Sequence, residues 1–242
     1  MFSIFSKKTF LKDLIPDEHV DIHCHVLPGI DDGAKSIDDA FSLTQSLKKL
    51  GFKHCIATPH IMGSTWENTP ESISTAYEKL RAEKEIPLNL SYAAEYMIDP
   101  NFIQLYQTNS LLALKDNYVL VEISYLNPPV QLFDILFELQ VAGYQPVLAH
   151  PERYIYYHKK FDQYYRIKNA GCFMQLNLLS TVGYYGPVVS EAAIKLLKAG
   201  LIDFVGSDIH HEKHIMAFEQ KTLVKDHKPL LEAIARNQFF KP

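Results

Sequence analysis

Cysteine is scarce in this chain. Cys24, Cys55 and Cys172 are an odd count with no Cys-x-x-Cys, which argues against a disulfide scaffold and for a reducing compartment. Excess positive charge is also missing. Against 24 Lys and Arg stand 28 Asp and Glu, a formal net charge of −4, so bulk charge offers no polyanion-binding surface and no nucleic-acid role is expected. No apolar run approaches the roughly 18 residues of a spanning helix, so no stable membrane insertion is expected. Nor is there a linker rich in Gly, Ser or Pro, a repeat or a low-complexity tract. With 242 residues and 47% hydrophobic content, the chain suits a single α/β domain with an ordinary core, and a cytoplasmic location is expected. Homo-oligomerisation is left open.

The first residues, 1–11, carry Phe2, Ile4, Phe5, Phe10 and Leu11, without the basic-then-apolar order and cleavage site of a signal peptide. They are expected to pack on the domain or fray, with a weak membrane-surface or partner contact as the alternative. Residues 1–18 are therefore treated as an N-terminal extension and 19–242 as the domain.

What is present is alternation. Short apolar runs at 20–26, 53–58, 88–95, 118–123, 145–149, 172–177 and 203–206 predict seven strands. Helical patterns fall between or after them at 36–50, 70–85, 97–107, 131–142, 159–170, 188–199 and 230–237. Such alternation implies parallel strands with crossover helices.

The informative feature is what sits at the strand ends. Val20, Ile22 and Val26 frame His23-Cys24-His25, and residues i and i+2 of a strand share a face, so both imidazoles point one way. The second strand runs into Thr58-Pro59-His60, the third ends in Glu95 and the fourth carries Glu122. The fifth leads to His150 and the last to Ser207-Asp208-Ile209-His210. Singly, each has a bland alternative: a turn residue, a helix cap or an edge position. Together, five histidines and three carboxylates at strand ends are hard to explain as packing. A distorted β/α barrel rings all strand ends around one mouth, whereas an open sheet spreads them along a line. Imidazole and carboxylate ligands suit Mn, Zn or Fe, and eight residues exceed the needs of one ion. Asp31-Asp32-Gly33 reads as a turn or as a source of one more ligand, and Arg153 as a surface ion pair or a bidentate phosphate fork.

These motifs resemble the polymerase and histidinol phosphatase (PHP) superfamily. The segments Asp21-Ile22-His23-Cys24-His25, Gly29-Ile30-Asp31-Asp32-Gly33, Ala94-Glu95, Val121-Glu122, Ala149-His150-Pro151-Glu152-Arg153-Tyr154 and Ser207-Asp208-Ile209-His210 are similar to its bacterial tyrosine-protein phosphatase branch of capsule and exopolysaccharide loci. The resemblance implies a single-domain, TIM-like, seven-stranded distorted barrel with two or three manganese ions, Fe, Zn or Mg being alternatives. It implies His23, His25, Glu95 and Asp208 around a first ion. Glu95, Glu122 and His150 would hold a second, and Asp32, His60 and His210 a third. Arg153, Asp208 and His210 become the catalytic candidates, with Arg153 binding the phosphoryl oxygens. The implied reaction is hydrolysis of phosphotyrosine by a metal-activated water, on a substrate such as the tail of a tyrosine autokinase. In keeping with this, none of the three cysteines has an Arg six residues later, so the Cys-x5-Arg loop of cysteine phosphatases is absent. Cys24, expected to be buried between two ligand histidines, is a poor nucleophile.

Tyr154, Tyr156, Tyr157, Tyr164, Tyr165, Tyr184 and Tyr185 are expected to be core and surface aromatics, with a phosphotyrosine cleft as the alternative. Two other functions remain open: a small-molecule phosphomonoesterase of the histidinol-phosphatase kind, and a non-catalytic scaffold. No ligand position is missing, which counts against the scaffold.

Overall fold

The computed structural model of the protein describes residues 9–108 and 111–242. Along these residues the elements run β1 (His19–Cys24), α1 (Ile37–Lys49), β2 (Phe52–Ala57), β3 (His60–Ile61), α2 (Pro70–Glu83), β4 (Asn89–Tyr92), β5 (Glu95–Met97) and α3 (Pro100–Gln107). They continue with β6 (Tyr118–Glu122), α4 (Leu132–Val141), β7 (Gln145–Ala149), α5 (Ile155–His158), α6 (Asp162–Asn169) and β8 (Phe173–Asn177). The last are α7 (Pro187–Lys198), β9 (Phe204–Gly206), α8 (Glu212–Ala217) and α9 (Lys228–Arg236).

The expected α/β alternation with parallel pairing is present. The strands form two parallel sheets, one in the order β1-β2-β4 and one in the order β3-β5-β6-β7-β8-β9. The ladder is thus not one closed seven-stranded ring. The predicted strand at 88–95 is two strands, β4 and β5, belonging to different sheets, and two-residue β3 carries too few residues to show a period. Helix α3 starts at Pro100 and not at 97, because Met97 is still in β5 and Asp99 caps the helix by accepting from the Phe102 N–H.

Two apolar layers lie on either side of the strands. On β6, Val119 and Val121 join the larger cluster, which includes Leu136 and Leu139 of α4. Leu120 between them joins Val20, Ile22, Val147, Phe204 and Phe240 in a second, inner cluster. Each fully buried side chain of this kind contributes roughly 1.5–3 kcal/mol.

Strand β1 breaks its own alternation. Asp21 pairs with Cys55 and Cys24 with Ala57, so three steps on β1 match two on β2. This bulge changes which residues face inward. Before it, Val20 and Ile22 point to the inner cluster; after it, His23 and His25 turn toward the strand-end cluster, while Asp21 lies beside Cys24 and Cys55.

Ahead of β1, residues 10–15 pack on the domain. Phe10 bridges to Lys221, Leu11 donates its N–H to Gln220, and Leu11 is fully buried. Of the five apolar residues behind the alternative of a membrane or partner contact, Phe2, Ile4 and Phe5 lie outside the described residues.

Candidate metal centre

The nine residues expected to bind metal converge at one mouth. His23 is in β1 and His25 just beyond it; Asp32 follows in the next loop. His60 opens β3, Glu95 opens β5, and Glu122 closes β6. His150, Asp208 and His210 lie just past β7 and β9. Glu95 therefore starts a strand, where the sequence suggested that it ended one.

Ligand atoms fall into overlapping groups: His25, Asp32, His60 and His210; His23, His25 and Glu95; His23, His150 and Asp208; and His60, Glu95 and Glu122. Several placements differ from the implied allotment, among them His25, which also joins Asp32, His60 and His210. His150 groups with His23 and Asp208, and His60 is shared between Asp32 with His210 and Glu95 with Glu122. His150 Nε2 still reaches Glu95 Oε1 at 2.9 Å.

The chain's own bonds leave this set incomplete. His23 Nδ1 meets the Gln175 amide oxygen at 2.7 Å, His25 Nδ1 meets Asp31 at 2.8 Å, and His210 Nδ1 meets the Asp208 carbonyl at 3.0 Å. All three partners are acceptors, so each Nδ1 carries a proton, and each Nε2, once deprotonated, is the atom that can meet a cation. The Nε2 atoms of His23 and His25 then face each other at 3.2 Å. His60 Nδ1, Glu95 Oε2 and Glu122 Oε1 are buried without a hydrogen-bond partner, although His60 Nδ1 lies 3.1 Å from Glu95 and 3.0 Å from Glu122. Imidazole nitrogens and carboxylate oxygens aimed at common points fit divalent cations of the borderline or hard kind.

Electrostatics agree. Burial alone would lower the pKa of His23, but the Glu95 and Asp208 carboxylates outweigh it and lift the imidazole to about 9. His25 is lifted well above its ordinary value against the same burial, by Asp31 and Glu95. Burial would raise Glu95 and Asp208, yet the surrounding histidines hold both well below the usual carboxylate range. The cluster demands positive charge where its donor atoms converge.

Between Asp31 and Asp32 the geometry distinguishes two roles. Asp31 supports from behind: it accepts from Gly33 N–H and faces His25 Nδ1. Asp32 looks into the mouth, 3.3 Å from His210 Nε2 and 3.6 Å from His60 Nε2. Backbone is strained at two site residues, His150 (φ 37°) and Asp208 (φ 51°), a left-handed region that non-glycine residues avoid. Gly206 lets the strands close in, since a Cβ there would lie 2.6 Å from His23 Cβ and 2.7 Å from Gln175 Nε2.

Arg153 stands at the rim. Its Nη1 donates to Asp208 at 3.0 Å, and its guanidinium lies 4.8 Å from the Tyr125 ring centre and 4.6 Å from that of Tyr185. Such a clamp holds the fork without using all five of its donors. Of the seven tyrosines singled out in the sequence, Tyr185 lines the cleft. Tyr154 is buried beneath it, donating to the Ala149 carbonyl and accepting from Ile123 N–H. Cys24 is buried with its thiol pushed well up by Cys55 and by burial, as expected of a packing residue.

Several contributors were missed. Gln175 and Asn177 supply the sixth predicted strand's share, Asn177 donating to Asp208 and Gln175 orienting His23. Two polar residues at i and i+2 in a buried strand were the available signal. Asp21 accepts from both the backbone and hydroxyl of Ser207, tying β1 to the Asp208 turn. Tyr125 and Trp66 line the cleft with no sequence signal beyond being aromatic.

Known proteins resemble this chain in sequence and in fold. Residues 19–224 match the family model described as "Capsular polysaccharide synthesis, CpsB/CapC". The chain is 32% identical to the tyrosine-protein phosphatase YwqE of Bacillus subtilis over 198 residues, 80% of this chain and 78% of that one. It is 29% identical to a putative tyrosine-protein phosphatase, CapC, of Staphylococcus aureus over 213 residues, 86% of this chain and 83% of the other. It superimposes with a TM-score of 0.75 and 31% identity, over 82% of this chain and 84% of the other, on a crystal structure from work on YwqE and Streptococcus pneumoniae CpsB, described as "unique metal-dependent tyrosine phosphatases". By sequence over most of its length, this chain belongs to the CpsB/CapC family.

Proposed function

We propose that this chain is a metal-dependent protein-tyrosine phosphatase. The observation that carries this is the convergence of imidazole Nε2 atoms and unpartnered carboxylate oxygens beside a clamped arginine. Relatives named as tyrosine phosphatases support the substrate class. His23, His25, Asp32, His60, Glu95, Glu122, His150, Asp208 and His210 would hold two or three ions, with manganese the proposed metal. Bound there, divalent ions supply Lewis acidity that makes water a competent nucleophile near neutral pH and offsets phosphoryl charge.

The chain's own groups do the rest. Arg153, fixed by Asp208, Tyr125 and Tyr185, binds the phosphoryl oxygens and orients them toward the cluster. Asp208, which also fixes Arg153 through Oδ2, and His210 are the other proposed catalytic residues and act as ligands of the ions. Gln175 and Asp31 keep the histidine tautomers fixed.

Residues 19–242 are proposed to be one distorted PHP-type barrel. Support comes from the link between β1 and the β9 end, where His25 N–H donates to Ile209 at 2.9 Å and Asp208 N–H donates to His23 at 2.8 Å. A cytoplasmic location and a tyrosine-autokinase substrate are proposed as well. Among the described residues no helix is long and apolar enough to cross a membrane.

The test is phosphate release from a phosphotyrosine peptide by metal-stripped protein, with and without added manganese. Manganese-dependent release, unmatched on histidinol phosphate, is expected. No release with any divalent metal would sink the proposal.

A further inference from the structure

Trp66 is the chain's single tryptophan, and the chemistry above gives it no task. It is half-buried on the wall of the cleft that holds the cluster. Among the described residues no ring stacks on it. The cleft, about 380 Å³, is of the size that takes a small aromatic group.

Its walls differ in character. Following the larger sheet, β3 is succeeded by the loop with Met62 and Trp66, β5 ends in Met97, β6 is followed by Tyr125 and β7 by Arg153. Apart from the candidate metal ligands and Thr65, the lining from β3 to β6 is thioether and aromatic, and after β7 Arg153 adds a cation. A phosphate ester of an aromatic alcohol has the same polarity along its length.

The Trp66 platform is pinned. Met62 and Trp66 exchange backbone hydrogen bonds of 2.9 and 3.0 Å. The Asn68 side chain donates to the carbonyls of Ile30 at 2.8 Å and His60 at 2.9 Å, tying the loop to the metal cluster's own strand and loop. Gly63 N–H donates to Asp99 at 3.0 Å, which fixes the loop to the start of α3. A pre-placed surface binds without an ordering cost.

Resting on the phosphatase proposal, we infer that Trp66, with Met62, Met97 and Tyr125, forms an aryl subsite that selects phosphotyrosine over phosphoserine. The aromatic ring of the substrate lies along this wall, and its phosphoryl group reaches Arg153 and the cluster. Phosphoserine gains nothing from the wall, and its short side chain would have to draw the peptide backbone down into the cleft.

Matched phosphotyrosine and phosphoserine peptides, given to manganese-loaded wild type, Trp66→Ala and Trp66→Phe, test this. The ratio of kcat/KM for the two peptides is expected to fall about 3- to 10-fold in Trp66→Ala, through KM, and to recover in Trp66→Phe. An unchanged ratio, or equal loss on both peptides, overturns the inference. If wild type hydrolyses neither peptide, the phosphatase proposal falls and the subsite is still measurable. Trp66 emission in manganese-loaded protein is then titrated with phenylphosphonate and methylphosphonate. A response at lower phenylphosphonate concentration supports the aryl subsite; an equal response to both, or none, overturns it.

Discussion

The inward face of the strands is apolar at one end and ionisable at the other, with very little chain between. On β6, Leu120 packs with Ile22, Val147 and Phe240, and two residues later Glu122 meets His60. On β1 the change takes one residue, from Ile22 to His23, because of the bulge. The apolar end is closed by its own contacts. The ionisable end sets imidazole nitrogens and carboxylate oxygens against one another without satisfying all of them. One end serves folding and the other serves chemistry, so substitutions at the two ends should fail in different ways.

The largest functional effect is expected at the centre of the ionisable end. Glu95 belongs to two of the ligand groups, and Glu95→Gln keeps its shape while removing its charge. Metal content should fall, and phosphotyrosine turnover should drop on the order of 10³-fold, the loss of several kcal/mol of charge stabilisation. Unfolding of the metal-free protein in urea should change less than it does for a core truncation, since the neighbouring histidines can release protons as the carboxylate is lost. A metal-free protein destabilised more by Glu95→Gln than by Leu120→Ala would break the comparison.

Arg153 separates binding of metal from use of it. Arg153→Ala should keep the ions and lose about 10²- to 10³-fold in kcat, as loss of one oriented charge donor typically does. Atomic absorption and steady-state rates on one sample check both halves. An unchanged rate would remove Arg153 from the phosphoryl site.

At the apolar end the pattern reverses. Leu120 is fully buried, and Leu120→Ala should cost about 2–5 kcal/mol in urea unfolding while the folded fraction still turns over substrate. Lost activity at undiminished stability would mean that the two ends are not independent.

Much of this division was legible in the sequence. His23, His25, His60, Glu95, Glu122, His150, Asp208 and His210 announced themselves by falling at the ends of apolar runs, and helix starts such as Ser36 and Pro70 were placed within a residue or two. What was not legible depends on tertiary closure. The β1 bulge has no local marker: strict alternation would put Asp21 on the face of His23 and His25, whereas it lies beside Cys24 and Cys55. The left-handed backbone at His150 and Asp208 is imposed by surrounding structure, not by glycine. Gln175 could be seen only as a polar residue in a buried strand until His23 arrived beside it from 152 residues away.

His19 provides the finest test, because it is a polar misfit near the start of β1. It is fully buried against Phe52, ring centres 5.0 Å apart, and neither ring nitrogen has a partner. Burial pushes its pKa down from 6.5 to about 4. Between those values the unfolded chain binds a proton that the folded chain refuses. His19 therefore costs no stability through protonation above pH 6.5, and destabilises progressively as pH falls toward 4. From pH 7.5 to 5.5 the penalty amounts to about 1.3 kcal/mol. Metal-free wild type and His19→Leu, unfolded in urea at both pH values, should diverge by that amount, the variant losing less at pH 5.5. Metal-free protein is required, since ligand histidines also take up protons in this range and would add the release of ions to the signal. Parallel losses in the two proteins would mean that water or a neighbour satisfies His19, and that the apolar end tolerates a charge there that its packing is argued to exclude.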